Sequence, residues 1–87
     1  MHLLVEYRNP WVHFTFTGAG ARAAANAMLV LLVEAVQCHG HPTPEGYWFK
    51  VSMSAPLDRT VQAETVQGWL TSWQLAYPDA VVEFASE

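Results

Sequence analysis

Leu3, Val5 and Tyr7 alternate with His2, Leu4, Glu6 and Arg8, a period of two that predicts a half-buried strand. Asn9-Pro10 interrupts it with residues suited to the first two positions of a type I turn. The alternation then resumes over Trp11–Thr17, with Val12, Phe14 and Phe16 on one side and Trp11, His13, Thr15 and Thr17 on the other. Two alternating runs across so short a break predict an antiparallel hairpin.

After Gly18-Ala19-Gly20 the period lengthens to about 3.6. Ala24, Ala27, Met28, Leu31, Leu32, Ala35, Val36 and Cys38 fall on one broad arc, and Arg22, Asn26, Glu34 and Gln37 fall opposite. This predicts a helix through Cys38, stopped by Gly40. His39–Gly46 holds two prolines and predicts a loop. Tyr47, Phe49, Val51 and Met53 alternate with Trp48, Lys50, Ser52 and Ser54 in a third strand, ended by Ala55-Pro56-Leu57. Asp58 is placed as the N-cap of a second helix through Ala76, with Ala63, Val66, Trp69, Leu70, Trp73 and Tyr77 on its apolar face. Gly68 inside that helix costs about 1 kcal/mol relative to Ala and leaves room for a neighbouring element. Pro78-Asp79 ends it, and Ala80–Ala85 predicts a last strand with Val82 and Phe84 inward.

The order strand–strand–helix–strand–helix–strand predicts an α+β two-layer sandwich, a four-stranded sheet backed on one face by two helices. Its 87 residues make a single domain over 1–87. A chain of this size buries roughly 60–65% of its unfolded surface, for a net stability of about 5–8 kcal/mol. The composition is 52% hydrophobic, enough for a core without disulfides, and only 14% charged, against about 25% in an ordinary domain. So few charges suggest a surface that is partly covered by a partner, a second copy included.

The net charge of −4 sets eight scattered carboxylates against Arg8, Arg22, Lys50 and Arg59. Four basic residues give no electrostatic footprint for nucleic acid. Cys38 is the one cysteine, which fits a reducing compartment, and no basic-then-apolar leader opens the chain. The uncharged run Ala23–Val33 is too short to cross a bilayer. A cytoplasmic protein with no membrane partner is expected.

With both helices behind the sheet, the other face carries Arg8, Trp11, His13, Trp48 and Lys50 among His2, Leu4, Glu6, Thr15, Thr17, Ser52, Val81 and Glu83. Tryptophan and arginine within a polar rim are the composition of protein-binding hot spots. A small non-catalytic protein-binding module follows, an adaptor, accessory subunit or inhibitor. Proteins of phage and mobile elements that block host systems often take this form.

The rival is a small enzyme or a metal- or ligand-binding protein, with its site at a dimer seam or near Cys38, His39 and His41. Thiolate and imidazole suit zinc or copper, but a structural zinc site wants four ligands and this stretch offers three. His2, His13 or Glu45 would have to complete it, so no metal or other cofactor is expected. Gly18-Ala19-Gly20 is a tight turn rather than a phosphate cradle, since a dinucleotide site needs a parallel sheet this chain is too short to build.

Overall fold

The computed structural model describes residues 1–8, 10–32, 35–53 and 59–86. Its elements are β1 (His2–Arg8), β2 (Trp11–Thr17), α1 (Ala21–Leu29), β3 (Ala35–Thr43), β4 (Gly46–Met53), α2 (Arg59–Gln74) and β5 (Val81–Ser86). The turn residue Asn9, the helix positions Val33 and Glu34, the strand end at Ser54 and the cap at Asp58 lie outside the described residues.

Among the described residues the architecture is α+β, with two helices and one mixed sheet in the order β3-β4-β2-β1-β5. The sheet therefore has five strands where four were expected. The additional strand is β3, in a stretch read from the sequence as the end of a helix and a loop. All neighbours are antiparallel except β1 and β5. β4 consequently runs parallel to β1 and β5, and α2 carries the chain from one side of the sheet to the other. In the same way α1 joins β2 to β3, which run in the same direction with β4 between them.

The core fills the space between the helices and one sheet face. Leu3, Val5, Val12, Phe14, Phe16, Phe49 and Val51 from the sheet meet Ala21, Ala24, Ala25 and Met28 of α1 and Val66, Trp69, Leu70 and Trp73 of α2. Phe49 stacks with Phe14 at 5.0 Å and with Phe16 at 5.5 Å. Trp73 lies 5.8 Å from Phe16 and 5.1 Å from Tyr77. Its indole Nε1–H donates to the Ala24 carbonyl at 2.9 Å, tying the two helices together. Both helices thus stand behind the same face.

α1 is shorter than its pattern predicts. It is capped by Gly20, where φ is +80°, starts at Ala21 and ends at Leu29. Leu31 and Leu32 donate to the carbonyls of Met28 and Leu29, three residues back, so the last turn tightens and then unwinds. The chain next pairs along β4, from Ala35 opposite Met53 to Thr43 opposite Gly46, with a bulge between Ala35 and Gln37. That pairing takes up residues the 3.6 period had assigned to the helix. Without it β4 would be the sheet edge, with one side of its backbone unpaired. Val36 and Cys38, placed from the sequence on the buried helix arc, are exposed.

Gly46 marks the tightest approach. A Cβ there would run into the Phe16 carbonyl and come within 2.7 Å of the Ala21 Cβ. Among the described residues no atom lies within 4 Å of a Cβ placed at Gly68, so none of them is the close neighbour expected there. On β5, Val82 is half-buried, but Phe84 is 55% exposed although it pairs with Val5. It faces the helix side at a sheet edge the helices do not reach.

Candidate functional site

Strand parity decides which side chains share the face away from the helices. On β2 the buried residues Val12, Phe14 and Phe16 leave Trp11, His13, Thr15 and Thr17 outward, all half-buried. Trp48, Lys50 and Ser52 of β4 pair with Thr15, His13 and Trp11, which places them on the same side. The five residues selected from the sequence therefore share one face: Arg8, Trp11, His13, Trp48 and Lys50.

The face also has members that the sequence did not reveal. Because residues 35–43 form a strand, Gln37, His39, His41 and Thr43 join it through their pairing with Ser52, Lys50, Trp48 and Gly46. His39 and His41 are exposed. The alternation that brings them in turns Cys38 to the opposite side, opposite the buried Val51. The Cys38–His39–His41 cluster is thereby divided between the two faces of the sheet. Among the described residues no group of three or more His, Cys, Asp or Glu side chains gathers as a metal set. Desolvation by neighbouring atoms raises the pKa of the exposed Cys38 thiol, the reverse of what activates a nucleophilic cysteine.

The rings form two groups. His39 lies 5.8 Å from Trp11, and Lys50 Nζ sits 4.2 Å above the Trp11 ring. Trp48 is flanked by His13 at 5.4 Å and His41 at 4.9 Å. Such ring contacts and the Lys50 cation–π pair orient both indoles across the face, each interaction contributing about 0.5–1 kcal/mol at an accessible site. The His13 pKa is lowered, first by burial and then by the positive charge of Arg8, with Lys50 adding to the effect and Glu6 opposing it. At neutral pH His13 is an uncharged ring against Trp48.

Charge divides the face into two halves. On the β1–β5 side, Arg8 donates to Glu6 at 2.8 Å and His2 lies 3.4 Å from Glu83. On the β2–β4–β3 side, the outward positions among the described residues hold Lys50, three imidazoles and two indoles and no carboxylate of their own, although Glu6 of β1 pairs directly with His13. That half is apolar with a positive tendency, on a chain whose net charge is −4.

No protein-family model matches the chain, and no curated protein sequence does. The crystal structure of SMU.848 from Streptococcus mutans is similar to it at 15% identity and a TM-score of 0.49, covering 99% of this chain and 94% of that one. A likeness of that degree carries no statement about a site. Among the described residues no helix is long and apolar enough to cross a membrane.

Proposed function

We propose that this chain is a small non-catalytic protein-binding module, an adaptor, accessory subunit or inhibitor, that engages its partner through the outer sheet face. One observation carries the reading: Trp11, Lys50, His13 and Trp48 lie side by side on a face that, among the described residues, no helix covers. Aromatic anchors within a polar rim suit a desolvating contact. The carboxylate-free half favours a partner that presents apolar side chains beside carboxylates, because like charges across an interface are destabilising. Arg8, bonded to Glu6, belongs to the rim.

The test is affinity capture from the source organism with the unsubstituted chain, a Trp11→Ala/Trp48→Ala variant, and a Leu75→Ala variant as control. Leu75 is 83% exposed and lies just beyond α2, on the helix layer. The expected outcome is one reproducible protein partner, kept by the control and lost by the double variant. Loss of a hot-spot residue costs about 2 kcal/mol or more, so losing even one of the two should weaken affinity at least about thirtyfold. Equal capture by the folded double variant would refute the reading.

A further inference from the structure

We propose that His39 and His41 form a two-imidazole site for a late first-row divalent cation, of the copper, nickel or zinc type. This site is separate from the protein-binding reading and does not rest on it. It differs from the Cys38–His39–His41 cluster in both ligands and geometry: the thiol is removed to the other face, and the two imidazoles are held on a strand instead of a loop.

On β3 the two residues are separated by one, so their side chains leave the same face about 6.7 Å apart along the strand. Two imidazoles rising from that spacing can lean together onto one ion at about 2.0–2.1 Å from each nitrogen. The His41 Nδ1 lies 3.1 Å from the Pro42 carbonyl oxygen. A carbonyl can only accept, so this contact is made by the tautomer with its proton on Nδ1, which leaves the Nε2 lone pair available to a metal. A backbone carbonyl holding the far nitrogen is the usual support of a metal-bound histidine. His41 rests against Trp48 at 4.9 Å and His39 against Trp11 at 5.8 Å, so both rings turn from these contacts to meet at one ion. Both histidines are exposed, which gives an ion direct access.

Imidazole pairs prefer copper, nickel and zinc over calcium or magnesium, which take oxygen ligands. With no third side chain gathered among the described residues, the remaining coordination positions belong to water or to a group from a bound molecule. Lys50, directly across from His39, is drawn over the Trp11 ring and so holds its charge toward β2.

The experiment is a titration of the full untagged chain with copper(II) chloride at neutral pH, followed by calorimetry and by indole fluorescence. Trp48 and Trp11 are close enough for a bound paramagnetic ion to quench them. We expect one ion per chain with partial quenching. His39→Ala and His41→Ala should each weaken binding at least tenfold, since losing even a ligand's supporting hydrogen bond costs about 10–100-fold. Cys38→Ala, which also removes thiol oxidation by copper, should bind as the parent does, as should His2→Ala and His13→Ala. Trp48→Phe should reduce the quenching and leave the calorimetric affinity unchanged. Undiminished affinity in His39→Ala and His41→Ala would overturn the proposal. So would loss of binding in Cys38→Ala or His2→Ala alone, or no heat and no quenching in the parent chain.

Discussion

The four tryptophans fall into two pairs whose removal should have opposite consequences. Trp69 and Trp73 are core residues, 4% and 1% exposed, whereas Trp11 and Trp48 are half-buried on the outer face. Truncating Trp73 to Ala removes a fully buried aromatic, worth about 3–5 kcal/mol in transfer and cavity terms. It also removes the 2.9 Å hydrogen bond to Ala24, worth roughly 0.5–1.5 kcal/mol net. The Ala24 carbonyl lies inside α1 and retains its helical partner, so no further desolvation penalty applies. The sum, about 4–6 kcal/mol, approaches the whole stability expected of a domain this size.

The outer pair presents a different balance. Each indole gives up cross-strand contacts worth roughly 0.2–1 kcal/mol, and Trp11 also gives up the cation–π contact with Lys50, about 0.5–1 kcal/mol. The Trp11→Ala/Trp48→Ala variant should therefore lose only about 1–3 kcal/mol and remain folded. Urea denaturation followed by far-ultraviolet circular dichroism measures both. The double variant should show a lower midpoint with an unchanged slope. Trp73→Ala should have little or no folded baseline at 25 °C. If the outer variant has no cooperative transition, or Trp73→Ala unfolds within about 1 kcal/mol of the parent, the division into a structural pair and an available pair is wrong.

Two glycines give predictions of opposite sign. Gly46→Ala forces a Cβ onto the Phe16 carbonyl and the Ala21 Cβ, and should destabilise by about 2–3 kcal/mol as an overpacked site does. Gly68→Ala meets no atom within 4 Å and should stabilise α2 by about 0.5–1 kcal/mol. Thermal melts of the two variants check both, and a shift of the same sign in each would refute the account. For His13, the native ring resists protonation while the unfolded ring titrates near 6.5. Its contribution to stability is thus complete above that value and is lost as pH falls through it toward the lower native pKa. The urea midpoint should fall less between pH 7.5 and pH 5 in His13→Gln than in the parent, and an equal fall would exclude His13 as a cause.

The success and failure of sequence reading follow from how far each assignment depended on tertiary partners. Parity alone placed Trp11, His13, Trp48 and Lys50 on one face, because Val12, Phe14, Phe16, Phe49 and Val51 are large, apolar and regularly spaced. The Trp69, Leu70, Trp73 and Tyr77 spacing likewise admits only a helix. β3 gives no such signal. As an edge strand it buries almost nothing, so neither of its sides is consistently apolar: Val36, Cys38, Gly40 and Pro42 alternate with Gln37, His39, His41 and Thr43. An edge also tolerates Pro42, which in a sequence reads as a loop. Upstream, the Leu31–Cys38 run fits a helical arc as well as any other pattern, since a short apolar segment does not fix its own period. The unpaired side of β4 was the available clue. A strand with a fully buried inner face requires a neighbour or a cover for its backbone, and residues 35–43 are the nearest segment able to supply one.

The same dependence governs the candidate site. Local alternation could show that Glu6 and Glu83 share a face with Trp11 and Trp48, but their separation is a property of strand order. With β1 and β5 at one side and β2, β4 and β3 at the other, the carboxylates are drawn into pairs with Arg8 and His2. Lys50, His39 and His41 are left beside the indoles, while His13 pairs across from Glu6. Had β3 remained a loop, His39 and His41 would have had no fixed relation to Trp11 or Trp48. The hairpin across Pro44-Glu45 supplies that relation, and it does so through backbone pairing that demands little of the side chains. A face assembled in this way leaves its edge residues free to vary in chemistry, which is why its most exposed functional groups are the ones least visible in the pattern of the chain.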